Sequence, residues 1–221
     1  MGAILNTVTI SKWISMSEYI LLGLGITLSL YVITIMLSMP IGLLGALGKI
    51  SVENKLISFL LDIYTWLFRG TPLMLQLFFF YFGLSTIGIR LTPFQAAAVA
   101  FVLNYGAYFI EIFRGGISSI DKGQYEAAHA LGLNYWVTMV HVIIPQSLKS
   151  VLPSISNEAI TLVKDTALVS AIGMGDLLRN SKEIVVREMI MSPFIIASII
   201  YLLLTSIIIS IFKRLENKYQ Y

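Results

Sequence analysis

Five ionisable side chains stand inside otherwise apolar stretches of this chain: Asp62, Arg69, Glu158, Lys164 and Asp165. An isolated charge at mid-bilayer costs about 2.5–3.5 kcal/mol on insertion scales, so each needs a partner, water or a task. Asp62 and Arg69 are seven residues apart, and a continuous helix would put both on one stripe with Thr65 and Trp66. Glu158, Thr161 and Asp165 form a similar stripe. Directly after Arg69 comes Gly70-Thr71-Pro72. Pro72 lacks an N–H and biases Thr71 away from helical geometry, and Gly70 lowers the cost of a break. A new helix is expected to start there, with Thr71 as N-cap and Pro72 at its first position. Its first free N–H groups, on Leu73 and Met74, would attract a carboxylate, as in discontinuous membrane helices.

The elements that must position these groups follow from composition. The chain has 221 residues, 57% hydrophobic and 12% charged, with a mean hydropathy of +0.84. A soluble domain carries about 25% charged residues, so a soluble monomer is excluded, and disorder with it. Net charge +3 and a pI near 9.0 are too mild for a nucleic-acid partner, and no basic stripe with interleaved aromatics is present. With no cysteine there are no disulfides, thiolate metal sites or cysteine nucleophiles. The first apolar stretch is too long for a signal h-region, so no removable signal peptide is expected.

A helix needs about 20 apolar residues to cross a bilayer. Five stretches qualify: 19–48, 56–84, 91–110, 147–174 and 189–212, within a single domain 1–221. The expected fold class is an all-α membrane protein of five spans. With the C-terminus inside, eight basic residues fall on the inner side (Lys49, Lys55, Arg114, Lys122, Lys149, Lys213, Arg214, Lys218). Lys12, Arg90, Arg179, Lys182 and Arg187 fall outside, which favours an N-out, C-in arrangement. Ser38, Gly42 and Ala46, and separately Ala96 and Ala100, recur every four residues and predict close helix packing within the chain or between chains. Trp13, Tyr19 and Tyr221 suit membrane interfaces, and the run 78–82 (FFFYF) reads as lipid-facing and core bulk.

The segment 115–146 is long, of mixed polarity, and requires structure of its own. Asp121 is expected to cap a helix, with Gln124 in capping-box position. That helix would run through Tyr125, Glu126, Ala127, Ala128, His129 and Leu131, with Gly132 as its left-handed C-cap. Its thin alanine face suits a groove on another protein, or, alternatively, the headgroup region of a membrane. His129 and His141 are twelve residues apart and have no ligand spacing for zinc, so no metal is expected.

Glu126-Ala127-Ala128, Gly132 and Pro145 resemble the EAA signature of bacterial ABC importer permeases. Val142 and Ile144 stand where that pattern has Ile and Leu. Arg69-Gly70-Thr71-Pro72-Leu73, Gln76-Leu77-Phe78, Tyr105-Gly106-Ala107-Tyr108, Glu111, Arg114-Gly115-Gly116-Ile117 and 164–170 (KDTALVS) are similar to the polar amino acid branch of the family. The resemblance covers roughly 21–178 and implies a type I importer fold in a bacterial plasma (inner) membrane. It implies two cytosolic ATPase subunits, an external solute-binding protein and a second permease chain, an identical copy preferred to a different one. The permease would be non-catalytic, with ATP and Mg²⁺ on the ATPase and no cofactor of its own. Gly48-Lys49 is no P-loop, because position 43 is Leu and Ile50 stands where Ser or Thr must hold Mg²⁺.

On that resemblance, the substrate carboxylate would meet Gly70, Thr71, Pro72 and Leu73 with help from Arg69. Asp62 and Glu158 would hold the ammonium and a cationic side chain, and Gln76 and Thr161 would supply neutral hydrogen bonds. Three acids against two bases favour arginine, lysine or histidine, with glutamine or glutamate as the alternative. The competing reading makes Asp62–Arg69 and Lys164–Asp165 structural pairs; in either reading Lys164, Asp165 and Thr166 are expected to serve a gating or structural role. Tyr125 to Gly132 would dock the ATPase, and Ala128→Asp would detach it from a still-folded permease. An ion-coupled carrier would explain buried carboxylates but gives the EAA element no purpose and shows no selectivity-filter motif. An intramembrane enzyme finds no GxSxG or HExxH to support it.

Overall fold

The apolar stretches fold as helices packed through their smallest residues. The computed structural model describes residues 10–50 and 55–219, among which there is no strand; Tyr221 lies outside the described residues. The chain runs α1 (Ile10–Leu21), α2 (Leu24–Ile50), α3 (Lys55–Gly70), α4 (Leu73–Phe78) and, after a π-helical turn, α5 (Leu84–Thr86). Then come α6 (Pro93–Ser118), α7 (Lys122–Ala130), α8 (Tyr135–Thr138), a π-helical turn (Met139–Ile143) and α9 (Ile144–Asp165). A 3-10 segment (Thr166–Ile172) leads to α10 (Leu177–Glu188) and α11 (Ser192–Tyr219).

Helix α6 is the centre. Its start is secured by a capping box between Thr92 and Gln95, and its core face carries Phe101, Tyr105, Phe109 and Phe113. Helix α2 lies along it through a stripe of Leu30, Thr34, Ser38, Gly42 and Ala46, all buried. A side chain on Gly42 would strike Phe109, so only glycine permits this approach. The stripe's hydroxyls need no partner across the interface: Thr34 donates to Leu30 O (2.7 Å) and Ser38 to Thr34 O (2.5 Å). Lipid is as apolar as leucine, so close backbone packing supplies the adhesion here. The small-residue stripe therefore serves packing within the chain.

Three helical stretches are long and apolar enough to cross a membrane: Ile10–Ile50, Pro93–Ser118 and Ser192–Lys218. The pair Lys55–Gly70 and Leu73–Thr86, bent by 103°, makes a fourth if counted as one span. Helix α9, expected within the span 147–174, is not among these, because Lys149, Glu158, Lys164 and Asp165 lower its hydropathy. It packs instead against α6 and α11 with Val151, Ile155, Ala159 and Leu162 buried.

Several expected boundaries move. The first span was expected from residue 19, but Tyr19 belongs to α1, a separate helix ending before the turn at 22–23. With α10 and α11, α1 builds a second small core of Met16, Ile20, Leu177, Ile184, Ile196 and Ala197. Helix α6 continues to Ser118, eight residues past the expected 110, and so absorbs the start of the segment 115–146.

Candidate functional site

The break after Arg69 is the expected one, and its internal bonding explains why it is stable. Pro72 has no N–H to offer the Phe68 carbonyl four residues earlier. That carbonyl is satisfied from elsewhere, by Asn104 Nδ2 at 2.8 Å and Gln76 Nε2 at 2.9 Å. The Gln76 amide also lies 3.1 Å from Thr71 O and 2.8 Å from Thr71 Oγ1, and its own oxygen accepts from Asn104 (3.0 Å). Thr71 donates its hydroxyl proton to Leu67 O (2.8 Å). The N-cap is therefore Pro72 rather than Thr71: the Pro72 carbonyl accepts from Leu75 and Gln76, and no side chain covers the helix start. The first N–H groups of α4 are left without intrahelical partners, as at any helix start.

A cavity of about 620 Å³ opens on this break. Of the expected substrate residues, Arg69, Gly70, Thr71, Pro72, Leu73, Glu158 and Thr161 line it. Two do not. Gln76 is buried behind the break as its brace. Asp62 is on the exposed outer side of α3 and meets Lys49 (2.6 Å). The competing Asp62–Arg69 pair is not formed either, because Lys49 at the end of α2 meets Asp62 while Arg69 lies toward Glu111. Asp165, expected beside Lys164, turns to the cavity and accepts from Tyr105 OH (2.8 Å), while Lys164 is exposed. Thr166 is buried and donates to Val163 O (2.6 Å).

Helix α6 adds Asn104, Tyr105 and Tyr108 to the lining, and α9 adds Asp165. The wall thus presents two carboxyl groups, Glu158 and Asp165, against the guanidinium of Arg69. A wall carrying charges of both signs beside neutral hydrogen-bonding groups suits a zwitterion. Below Tyr108 lies a charge cluster that sequence reasoning did not assemble. Lys49 meets Glu111 Oε1 (2.5 Å) and Thr65 Oγ1 (3.1 Å), and Arg114 places Nε and Nη2 at 2.9 and 2.8 Å from Glu111 Oε2. The spacing Asn104, Tyr108, Glu111 on one face of an apolar helix was the available signal.

In the segment after α6, Asp121 caps α7 by accepting from Gly123 N–H (2.7 Å). The expected capping box does not form: Asp121 accepts from the N–H of Gly123 rather than of Gln124, and the Gln124 side chain accepts from Gln146 (3.0 Å). Leu131 is the C-cap rather than a helical residue, and Gly132 takes the left-handed conformation (φ 75°). Glu126, Ala127, His129 and Leu131 are exposed, and Tyr125 is half-buried. Burial, then Tyr135, raises the Tyr125 phenol above its ordinary range. Ala128 differs from its neighbours: it is 3% exposed, turned into the chain. The expectation that Ala128→Asp leaves the permease folded is corrected on that ground.

Residues 38–221 match the family described as "Binding-protein-dependent transport system inner membrane component". The arginine transport system permease protein ArtQ of Bacillus subtilis (strain 168) is 43% identical over 210 residues, 94% of this chain and 95% of that one. A putative glutamine transport system permease protein GlnP of Rickettsia bellii (strain RML369-C) is 39% identical over 90% of this chain and 92% of its own. A solved structure, "Crystal structure of an amino acid ABC transporter with histidines", superposes with a TM-score of 0.87 at 35% identity, covering 96% of this chain and 99% of that chain.

Proposed function

We propose, since the chain belongs to the family of binding-protein-dependent transport system inner membrane components, that it is the permease subunit of an amino acid ABC importer. It is a multi-pass inner membrane protein and provides the path for the substrate. Two cytosolic ATPase chains bind ATP and Mg²⁺ and do the hydrolysis; this chain catalyses nothing. A solute-binding protein delivers the amino acid from outside, and a second, identical permease chain completes the pair.

The chain spans the membrane five times, N-out and C-in, with the bent pair α3/α4 and helix α9 as the second and fourth spans. Burial of α9 between α6 and α11 supports its place among them. Helix α7 is on the cytosolic side and docks the ATPase through Glu126, Ala127, His129 and Leu131, with Tyr125, Ala128 and Gly132 holding its shape.

The observation that carries the substrate reading is the composition of the cavity wall. Arg69 and the uncapped start of α4 face Glu158 and Asp165 across one space. The substrate carboxylate goes to Arg69 and the break, held by charge-assisted hydrogen bonds. Its ammonium and a cationic side chain go to Glu158 and Asp165, which favours arginine, lysine or histidine. Glutamine is the second reading, favoured by the neutral lining of Asn104, Thr71 and Thr161.

ATP-driven uptake in reconstituted vesicles tests this. Glu158→Gln is expected to reduce arginine or lysine uptake about tenfold, the loss of one charge-assisted contact, while glutamine uptake changes less. Equal uptake of arginine, lysine and glutamine by Glu158→Gln and wild type would remove Glu158 from the substrate site.

A further inference from the structure

The cation at the cavity mouth is held in an unusual way. Arg69 is the last charged residue before the break, and its guanidinium makes no hydrogen bond among the described residues. Two features of α6 hold it instead. Its Cζ stands 5.5 Å from the Tyr108 ring centroid, and its Nη1 lies 3.9 Å from Glu111 Oε2. Tyr108 and Glu111 are three residues apart, so both restraints come from one helix face. At 3.9 Å the Glu111 contact is too long for a hydrogen bond and is electrostatic only, and both carboxylate oxygens already accept from other donors. Lys49 occupies Oε1, and Arg114 occupies Oε2 twice.

We propose that Glu111 is a positioning residue for substrate recognition: it fixes the Arg69 guanidinium over Tyr108 while leaving its donors free for a carboxylate. Neutralisation by Lys49 and Arg114 is what makes this work. A bare Glu111 would bind Arg69 bidentately and withdraw it from the cavity. An uncharged residue at 111 would let a long, 43%-exposed side chain swing into water. The cluster balances the two, so the arginine is aimed but unspent. This rests on the reading that Arg69 meets the substrate carboxylate, and it extends that reading to a residue absent from the cavity wall.

The test separates aiming from folding by using ligands that differ only in the carboxylate. Binding of L-arginine and of agmatine, its decarboxylated form, is measured by calorimetry on the permease copurified with its ATPase in nanodiscs. L-Glutamine and 4-aminobutanamide form a parallel pair. Wild type is expected to prefer the amino acid of at least one pair. Glu111→Gln is expected to lower amino acid affinity about tenfold and leave the decarboxylated ligand within about twofold, as losing one charge-assisted contact requires.

Glu111→Asp keeps the charge for Lys49 and Arg114 but draws it back from Arg69. It is expected to cost the amino acid about threefold, and it carries the test alone should Glu111→Gln fail to assemble. A structural role would weaken both ligands of a pair together, and that result, or no loss in either variant, overturns the proposal. Carboxylate preference lost in Arg69→Ala but kept in both Glu111 variants overturns the positioning alone. Preference that persists in Arg69→Ala, or is absent from wild type in both pairs, overturns the Arg69 reading and this inference with it.

Discussion

Two helix starts in this molecule are built by opposite means. Helix α7 begins on Asp121, whose carboxylate covers the Gly123 N–H at once. Helix α4 begins on Pro72, and no side chain covers it. The first is a closed start in which the chain satisfies itself locally. The second has its first residues, Leu73 and Met74, in the cavity lining, while the carbonyls at Phe68 and Thr71 are satisfied by Gln76 and Asn104. A start that only has to shape a segment is capped by its neighbour in sequence. The start at α4 is instead braced from behind, by Asn104 from α6 and by Gln76 one turn into α4.

The largest expected effect lies at α7. Ala128→Asp puts an unpaired charge into a site 3% exposed, and is expected to destabilise α7 and its packing by about 3 kcal/mol or more. Ala127→Asp, on the exposed side, is expected to keep the fold and lose only the ATPase. Limited proteolysis and copurification separate these outcomes; two variants behaving alike would break the distinction between the inner and outer faces of α7.

A middling effect belongs to the brace. Gln76→Leu strips donors from Phe68 O and Thr71 O, and is expected to cost about 2–3 kcal/mol in detergent unfolding curves. A neutral result would mean the break holds without Gln76. The smallest belongs to the closed cap. Asp121→Ala is expected to cost about 1 kcal/mol, read as increased protease sensitivity after Ser118 with amino acid binding unchanged. Loss of binding in this variant would show that the two starts are not independent.

Much of this is legible in the sequence. The break at Gly70-Thr71-Pro72, the Asp121 cap and the left-handed Gly132 all follow from constraints within a few residues. The α2 stripe was legible as packing, because small residues four apart lie on one side of any helix. What sequence reasoning missed is of another kind. It assigned Asp62 to the substrate, with a pair to Arg69 as the competing reading, whereas Lys49, from another helix, claims Asp62. It assigned Gln76 to the substrate, whereas a carbonyl eight residues earlier claims it. It placed Ala128 outward, whereas the packing of α7 on the π-helical turn before α9 turns it in.

The residues alone therefore determined an apolar helical chain in a membrane, where it breaks, and which segments are capped. Backbone stereochemistry and transfer free energy act over a few residues or sum over composition, so they can be read along the chain. Only the tertiary structure decided which charge meets which. Attraction between charges depends on distance in space rather than along the chain, and α2, α3 and α6 gather Asp62, Arg69 and Arg114 around the buried Lys49–Glu111 pair.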